Sequence, residues 1–352
     1  METSSKNKRN NFFPSINQIK LFILEHGIYV FLVLLILLSS ILSPTFFKLD
    51  NILNMLRSAA VLGIVSIGQT YVIIGGGADL SVGATMGTVA IMISEITKGE
   101  NNNVAVGILA CLLVGVIIGL INGLLITKRN MPPLVVSLGM AILVEGTRLA
   151  YTQGIISGRP APFIRELAKI HGIFPVPLLI MVVFFAIASI ILNHSPFGRK
   201  LFAVGGNPEA AKYSGIKVDK TVIISYMISG FFAALAGLVL SGYIGYGDRY
   251  LGTGFNMDSV AATIVGGTSF EGGKGGIGGT IVGVAIMTIL FNITLMLGLP
   301  INVQLIVKGL IIIAAVLMYS IMQTSAMGSN ITGASSLLSI IKPKKKIRKE
   351  RK

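Results

Sequence analysis

Asp79, Glu145, Arg148 and Lys308 are ionisable residues inside apolar sequence, and each needs a reason to be there. A charge near the centre of a bilayer costs about 2.5 to 3.5 kcal/mol on insertion scales, so such a group must be capped, paired or wet. Asp79 lies in "VIIGGGADLSVGATMG" (72–87), where three glycines interrupt an apolar run. Two readings fit it. It is the N-cap of the segment that follows, or it is a carboxylate facing a transport pathway or gate. Glu145 and Arg148 are three apart, on one helical face, where opposite charges pair structurally. Lys308 either packs its stem against neighbouring helices or snorkels toward the interface. Asp79 and Lys308 are also the residues that would carry a coupling proton in an ion-driven carrier.

Bond-making chemistry has no such candidates. His26, His171 and His194 are far apart, and no serine, histidine and carboxylate fall together. The single Cys111 excludes an intrachain disulfide and a cysteine metal cluster, which leaves packing. "SFEGGKGG" tempts as a phosphate loop, but G-x-x-x-x-G-K-[ST] fails at Thr268 and again at Gly275, which follows Lys274. Its glycines suit a tight turn and close helix approach instead. The 14 methionines are scattered through apolar sequence as packing residues. The expectation is a chain with no catalytic residue, no metal, no cofactor and no ATP site of its own.

What must position these residues is a membrane. The chain has 352 residues, 53% hydrophobic and 12% charged, with mean hydropathy +0.81, outside the range of soluble domains. Runs long enough to cross a bilayer recur from near Tyr29 to near Met322. The fold class is therefore all-α integral membrane, with about ten transmembrane helices at 24–43, 56–74, 79–96, 104–126, 133–151, 173–193, 221–243, 256–270, 277–297 and 300–322. The third and eighth are short and rich in glycine and polar residues. The first apolar run, Ile28 to Leu42, lacks a small-residue cleavage pattern and reads as a retained span. Three regions follow: an N-terminal segment 1–23, a polytopic domain 24–322 and a basic tail 323–352.

The net charge of +15 belongs largely to the ends. The tail "KPKKKIRKERK" carries eight of the 29 Lys and Arg residues, and four more precede the first span. Clusters beside spans mark the cytoplasmic side of a plasma membrane and touch anionic lipid, rather than nucleic acid. An even number of spans places both termini in the cytoplasm, together with "KRN" at 128–130 and the segment 194–220; the remaining loops are nearly balanced, so the tails decide. A shift of 170 residues superposes Gly75 on Gly245, Gly77 on Gly247, Asn122 on Asn292 and Gly139 on Gly309. An offset of five crossings would make two inverted five-helix repeats.

One polar stretch interrupts this pattern, "GGNPEAAKYSGIKVD" (205–219). Asn207 is a good N-cap, Pro208 suits the first helical position and Gly215 can supply the left-handed residue that ends a helix. Arg199, Lys200, Lys212, Lys217 and Lys220 make its surroundings basic. Within it Glu209, Ala210, Ala211 and Gly215 form E-A-A-x-x-x-G, which resembles the EAA motif of ABC importer permeases. By that resemblance it is a short cytoplasmic coupling helix that docks in a cleft of the ATPase subunit; taken alone it reads as an ordinary capped loop helix.

Together with "NGLLITKRNMPPLVVSLG" (122–139) and "VGGTSFEGGKGGIGGTIVG" (265–283), these blocks resemble the simple-sugar branch of ABC permeases, the ribose, galactose and xylose importers. The resemblance runs from about Ile28 to Ala315. It implies a permease subunit that moves a simple sugar or related polyol into a bacterial cell without chemistry of its own. It also implies a permease dimer, a separate ABC ATPase and an extracytoplasmic sugar-binding protein. The residues it puts at the ATPase contact are Asn207, Pro208, Glu209, Ala210, Ala211 and Gly215. The candidate pathway residues are Asp79, Ser81, Asn122, Pro132, Pro133 and Asn292. Ala78, Leu134 and Ser137 depart from the usual isoleucine, phenylalanine and threonine, and no I-x-L-P follows Gly215. An ion-coupled secondary transporter is the alternative, although it has no need of a capped E-A-A-x-x-x-G helix; a passive channel would have no ATPase partner.

Overall fold

The computed structural model describes residues 16–153, 158–248, 250–300, 302–310 and 313, with side chains from Gly27 onward. The elements run α1 (Ile16–Leu42), α2 (Leu49–Ile74), α3 (Val82–Thr97), α4 (Val104–Lys128), α5 (Pro133–Thr152), α6 (Pro162–Glu166), β1 (Ile170–His171) and β2 (Phe174–Pro175). They continue with α7 (Val176–His194), α8 (Pro196–Gly206), α9 (Pro208–Tyr213), α10 (Val218–Ile244), α11 (Phe255–Val265) and α12 (Ile277–Met296). Residues 302–310 are also helical. The all-α expectation meets one small exception, the antiparallel pairing of β1 with β2 ahead of α7.

Six of the described helices, α2, α4, α5, α7, α10 and α12, are long and apolar enough to cross a membrane; Gly27–Leu42 and α3 are shorter apolar helices. The expected span 256–270 is a shorter object. α11 has 11 residues, a rise of about 16 Å, roughly half the hydrocarbon thickness. It stops because Gly266 ends the helix and Gly267 turns the chain with φ +86°. The expected span 300–322 is helical over 302–310, and its remainder, like the basic tail, falls mainly outside the described residues.

α2 is the axis of the bundle, 83% buried over its apolar window. It packs against α10, α7, α12 and α11, and Ile64, Ile67 and Tyr71 join Met86, Phe232 and Ala236 in the main core. α4, α5 and α7 are mostly unburied and turn Leu109, Ile142 and Leu179 outward. Lipid tails are as apolar as leucine, so such faces need no protein cover, and small residues rather than greasy ones draw the helices together. Along α4, Gly115, Gly119 and Gly123 do this against α10: a Cβ on Gly119 would lie 2.1 Å from the carbonyl oxygen of Tyr226.

Candidate functional site

The polar stretch folds as two short helices in succession. Ser195 caps α8, its Oγ accepting the Gly198 N–H at 3.1 Å. Asn207 then caps α9, its Oδ1 accepting the Ala210 N–H at 2.9 Å, with Pro208 in the first turn. At the other end Gly215 takes φ +79°. Its N–H bonds the Lys212 carbonyl, and that of Ile216 bonds the Ala211 carbonyl, both at 3.0 Å, the paired bonds of a Schellman termination. Glu209 and Ala210 face outward. Ala211 is 4% exposed and turned toward the bundle, whereas Tyr213 is 92% exposed. The exposed surface of α9 thus includes Glu209, Ala210 and Tyr213. The sequence reading passed over Tyr213; the signal that could have found it is an aromatic residue in a polar helix, of a type enriched at protein interfaces.

Directly behind this helix three of the sequence blocks meet. The Gly273 N–H donates to the Ile74 carbonyl at 2.9 Å, tying the loop after α11 to the end of α2. Gly205, in the last turn of α8, is wedged against that bond: a Cβ there would lie 1.7 Å from the Ile74 oxygen and 2.6 Å from the Gly273 nitrogen. A Cβ on its neighbour Gly206 would have nothing within 4 Å. The glycine-rich loop therefore acts as a seat for α8, with backbone resting on backbone.

Past Ile74 the chain breaks, and the break holds Asp79, 1% exposed. Its Oδ1 accepts the Ser81 N–H at 3.0 Å and the Ser81 hydroxyl at 2.6 Å, with the Asn122 amide at 3.4 Å. Its Oδ2 accepts the Ser229 hydroxyl at 2.8 Å. Gln69, with its amide oriented donor to acceptor, pairs with the Asp79 backbone through both atoms at 3.2 Å. The Ala78 carbonyl accepts from Ser137 at 3.1 Å and Tyr226 at 3.2 Å, so two positions at which the sequence departs from the sugar-permease pattern touch each other. Ser81 is the residue that borders α3; Asp79 stands two residues earlier and ties the break to α4 and α10.

The candidate pathway residues do not form one group. Asp79, Ser81 and Asn122 are joined by hydrogen bonds, Asn122 reaching the Ser81 hydroxyl at 3.0 Å. Pro132 and Pro133 open α5. Asn292 exchanges amide hydrogen bonds with Asn51 at 2.8 and 3.2 Å. Lys308, left without a named partner by the sequence, forms an ion pair with Asp258 of α11 at 2.5 Å, its ammonium 4.4 Å from the Phe291 ring centre. Glu145 and Arg148 pair at 3.5 Å, the arginine buried and the glutamate half exposed. Among the described residues no three His, Cys, Asp or Glu side chains group as metal ligands.

The described residues thus form a multi-pass helical bundle with a glycine-seated polar helix at one end. The chain belongs to the family described as the permease component of branched-chain amino acid transport systems, matched over residues 51–316. It is 36% identical to the ribose import permease protein of Haemophilus influenzae over 318 residues, 89% of this chain and 96% of that one. To the ribose import permease protein of Bacillus subtilis it is 38% identical, over 83% of this chain and 91% of the other. To the galactose/methyl galactoside import permease protein of Haemophilus influenzae it is 36% identical, over 82% and 92%. No solved structure matches.

Proposed function

We propose that this chain is the membrane subunit of a binding-protein-dependent ABC importer for a simple sugar of the ribose, galactose or xylose kind, or a related polyol. The observation that carries the substrate class is the near full-length similarity to permeases named for ribose and for galactose import. In this reading α9 is the coupling helix: Asn207, Pro208 and Gly215 shape it, Glu209 and Ala210 meet a separate ATPase, and Ala211 anchors it. Two permease copies enclose the pathway, and an extracytoplasmic sugar-binding protein delivers the substrate. Both termini and α9 lie in the cytoplasm.

Two inverted halves fit the same reading. The 170-residue shift carries α2, α3 and α4 onto ranges within a few residues of α10, α11 and α12. Asp79, Ser81 and Asn122 lock the broken helix of the first half, while Pro132, Pro133 and Asn292 flank the moving elements. ATP-driven closure of the ATPases pushes α9, and the Gly205 seat passes that push to the break.

The test is uptake by the chain co-reconstituted in vesicles with its ATPase and binding protein. Labelled ribose or galactose should enter only with ATP, and collapse of the proton gradient should leave uptake unchanged. Uptake that follows the gradient and ignores ATP would sink the importer reading in favour of a secondary carrier; leucine entering in place of sugar would refute the substrate class.

A further inference from the structure

Two cavities on the outer side of α10 share residues. One is an apolar slot of about 360 Å³ between α7 and α10, lined by Phe184, Ile187 and Ile191 and by Ile224, Met227 and Phe231. The other is an open groove of about 700 Å³ where the chain enters α10, carrying Lys128, Lys212, Lys217 and Lys220 with Glu209 and Asp219. Ile224 and Met227 line both. Slot and groove therefore adjoin along α10 at Ile224 and Met227, an apolar crevice beside a charged groove.

The charges of that groove are unequal. Its four lysines face two carboxylates, and Asp219 is held by Lys128 at 2.6 Å, so the groove favours an anion. The slot offers nothing polar and accepts a hydrocarbon chain. We propose that slot and groove together bind one anionic phospholipid, its phosphate among Lys212, Lys217 and Lys220 and one acyl chain laid between α7 and α10. Any apolar helix face meets lipid; what selects a negative headgroup here is the placing of lysines in a groove that adjoins a chain-sized slot, within the short range of membrane surface charge. Pro208, Glu209 and Lys212 of α9 border the groove, whereas Ala210 and Tyr213 do not. The lipid thus braces one side of α9 while Ala210 and Tyr213 stay open to a protein partner, with Glu209 at the edge between the two.

The test is native mass spectrometry of the purified full-length chain, with its co-purifying subunits, against phosphatidylglycerol and phosphatidylcholine of matched acyl chains. The chain should retain phosphatidylglycerol several-fold better. Lys212→Gln/Lys217→Gln/Lys220→Gln should abolish that preference, and Met227→Trp should reduce retention of both lipids while the protein still elutes as a single species. Equal retention of the two lipids, or a preference that survives in the triple variant, overturns the proposal. Displacement of the lipid by millimolar inorganic phosphate also overturns it, by showing that the lysines read phosphate alone. So does a disulfide forming between two copies of Ile187→Cys in a Cys111→Ala background, which would make the slot a permease contact. Because the readout is lipid retention, its failure leaves the transport reading standing, and a failure of sugar uptake leaves the lipid site standing.

Discussion

The carboxylate of Asp79 accepts the hydroxyl of Ser229 at 2.8 Å, so a turn between α2 and α3 is fastened to the middle of α10, 150 residues away. With its other oxygen committed to Ser81 and Asn122, the carboxylate has little left to offer a substrate. Asparagine can keep most of this arrangement, since its oxygen still accepts from Ser81 and its amide can donate to Ser229, whose hydroxyl reverses. Asp79→Asn should therefore retain membrane expression and most uptake. Asp79→Leu orphans at least two buried donors, at about 1 to 3 kcal/mol each, and should lose expression. Normal expression with dead transport in Asp79→Asn would instead show that the charge itself gates the pathway.

The seat beneath α8 predicts a contrast between adjacent glycines. Gly205→Ala forces a methyl into the Ile74 carbonyl and the Gly273 nitrogen, an overpacking that costs about 1 to 3 kcal/mol or more, and should lower both thermal stability and uptake. Gly206→Ala meets open space and should behave as wild type. Equal tolerance of the two variants would mean that the close contact is not a feature of the working protein.

If α9 docks on an ATPase, Glu209→Lys should abolish co-purification and uptake at matched membrane expression, because like charges brought together at an interface cost several kcal/mol. Ala210→Trp, on the outward face, tests shape. Ala211→Trp is the wrong probe, since Ala211 is already covered by its own chain. Retention of the ATPase and of transport in both Glu209→Lys and Ala210→Trp would reduce α9 to a capped loop.

The pair between Lys308 and Asp258 lends itself to a double-mutant cycle. Lys308→Met or Asp258→Leu alone strands a mostly buried charge, at about 3 to 5 kcal/mol. The double variant removes both charges and should recover most of the lost stability, read as melting temperature in detergent. Additive losses would mean that the two residues do not act as a pair.

The helix α9 was legible because each of its ends is a local rule: an asparagine before a proline, and a glycine where the chain must turn left-handed. The expected span over 256–270 came out shorter, as α11, for the converse reason. Apolar content continues through Gly266, but it does not state that the backbone turns there to meet Gly279, which lies against it closely enough to exclude a Cβ. The partner of Lys308 was illegible because a helix pattern fixes a face and not the neighbour across it. The close packing of α4 on α10, by contrast, was written in "GVIIGLING" (115–123) as glycines four apart, a pattern that signals helix association in membranes.

Between Ile74 and Gly205 there is no side chain to compress. A joint cushioned by leucines could absorb a small displacement by rotamer changes and lose the signal; one made of two main chains has no slack of that kind. If the proposed push on α9 tilts α8, the tilt bears directly on the turn that carries Asp79 or strains the bond from Gly273. The joint behaves less like a spring than like a rigid crank, and its stiffness comes from residues that contribute no side-chain atoms.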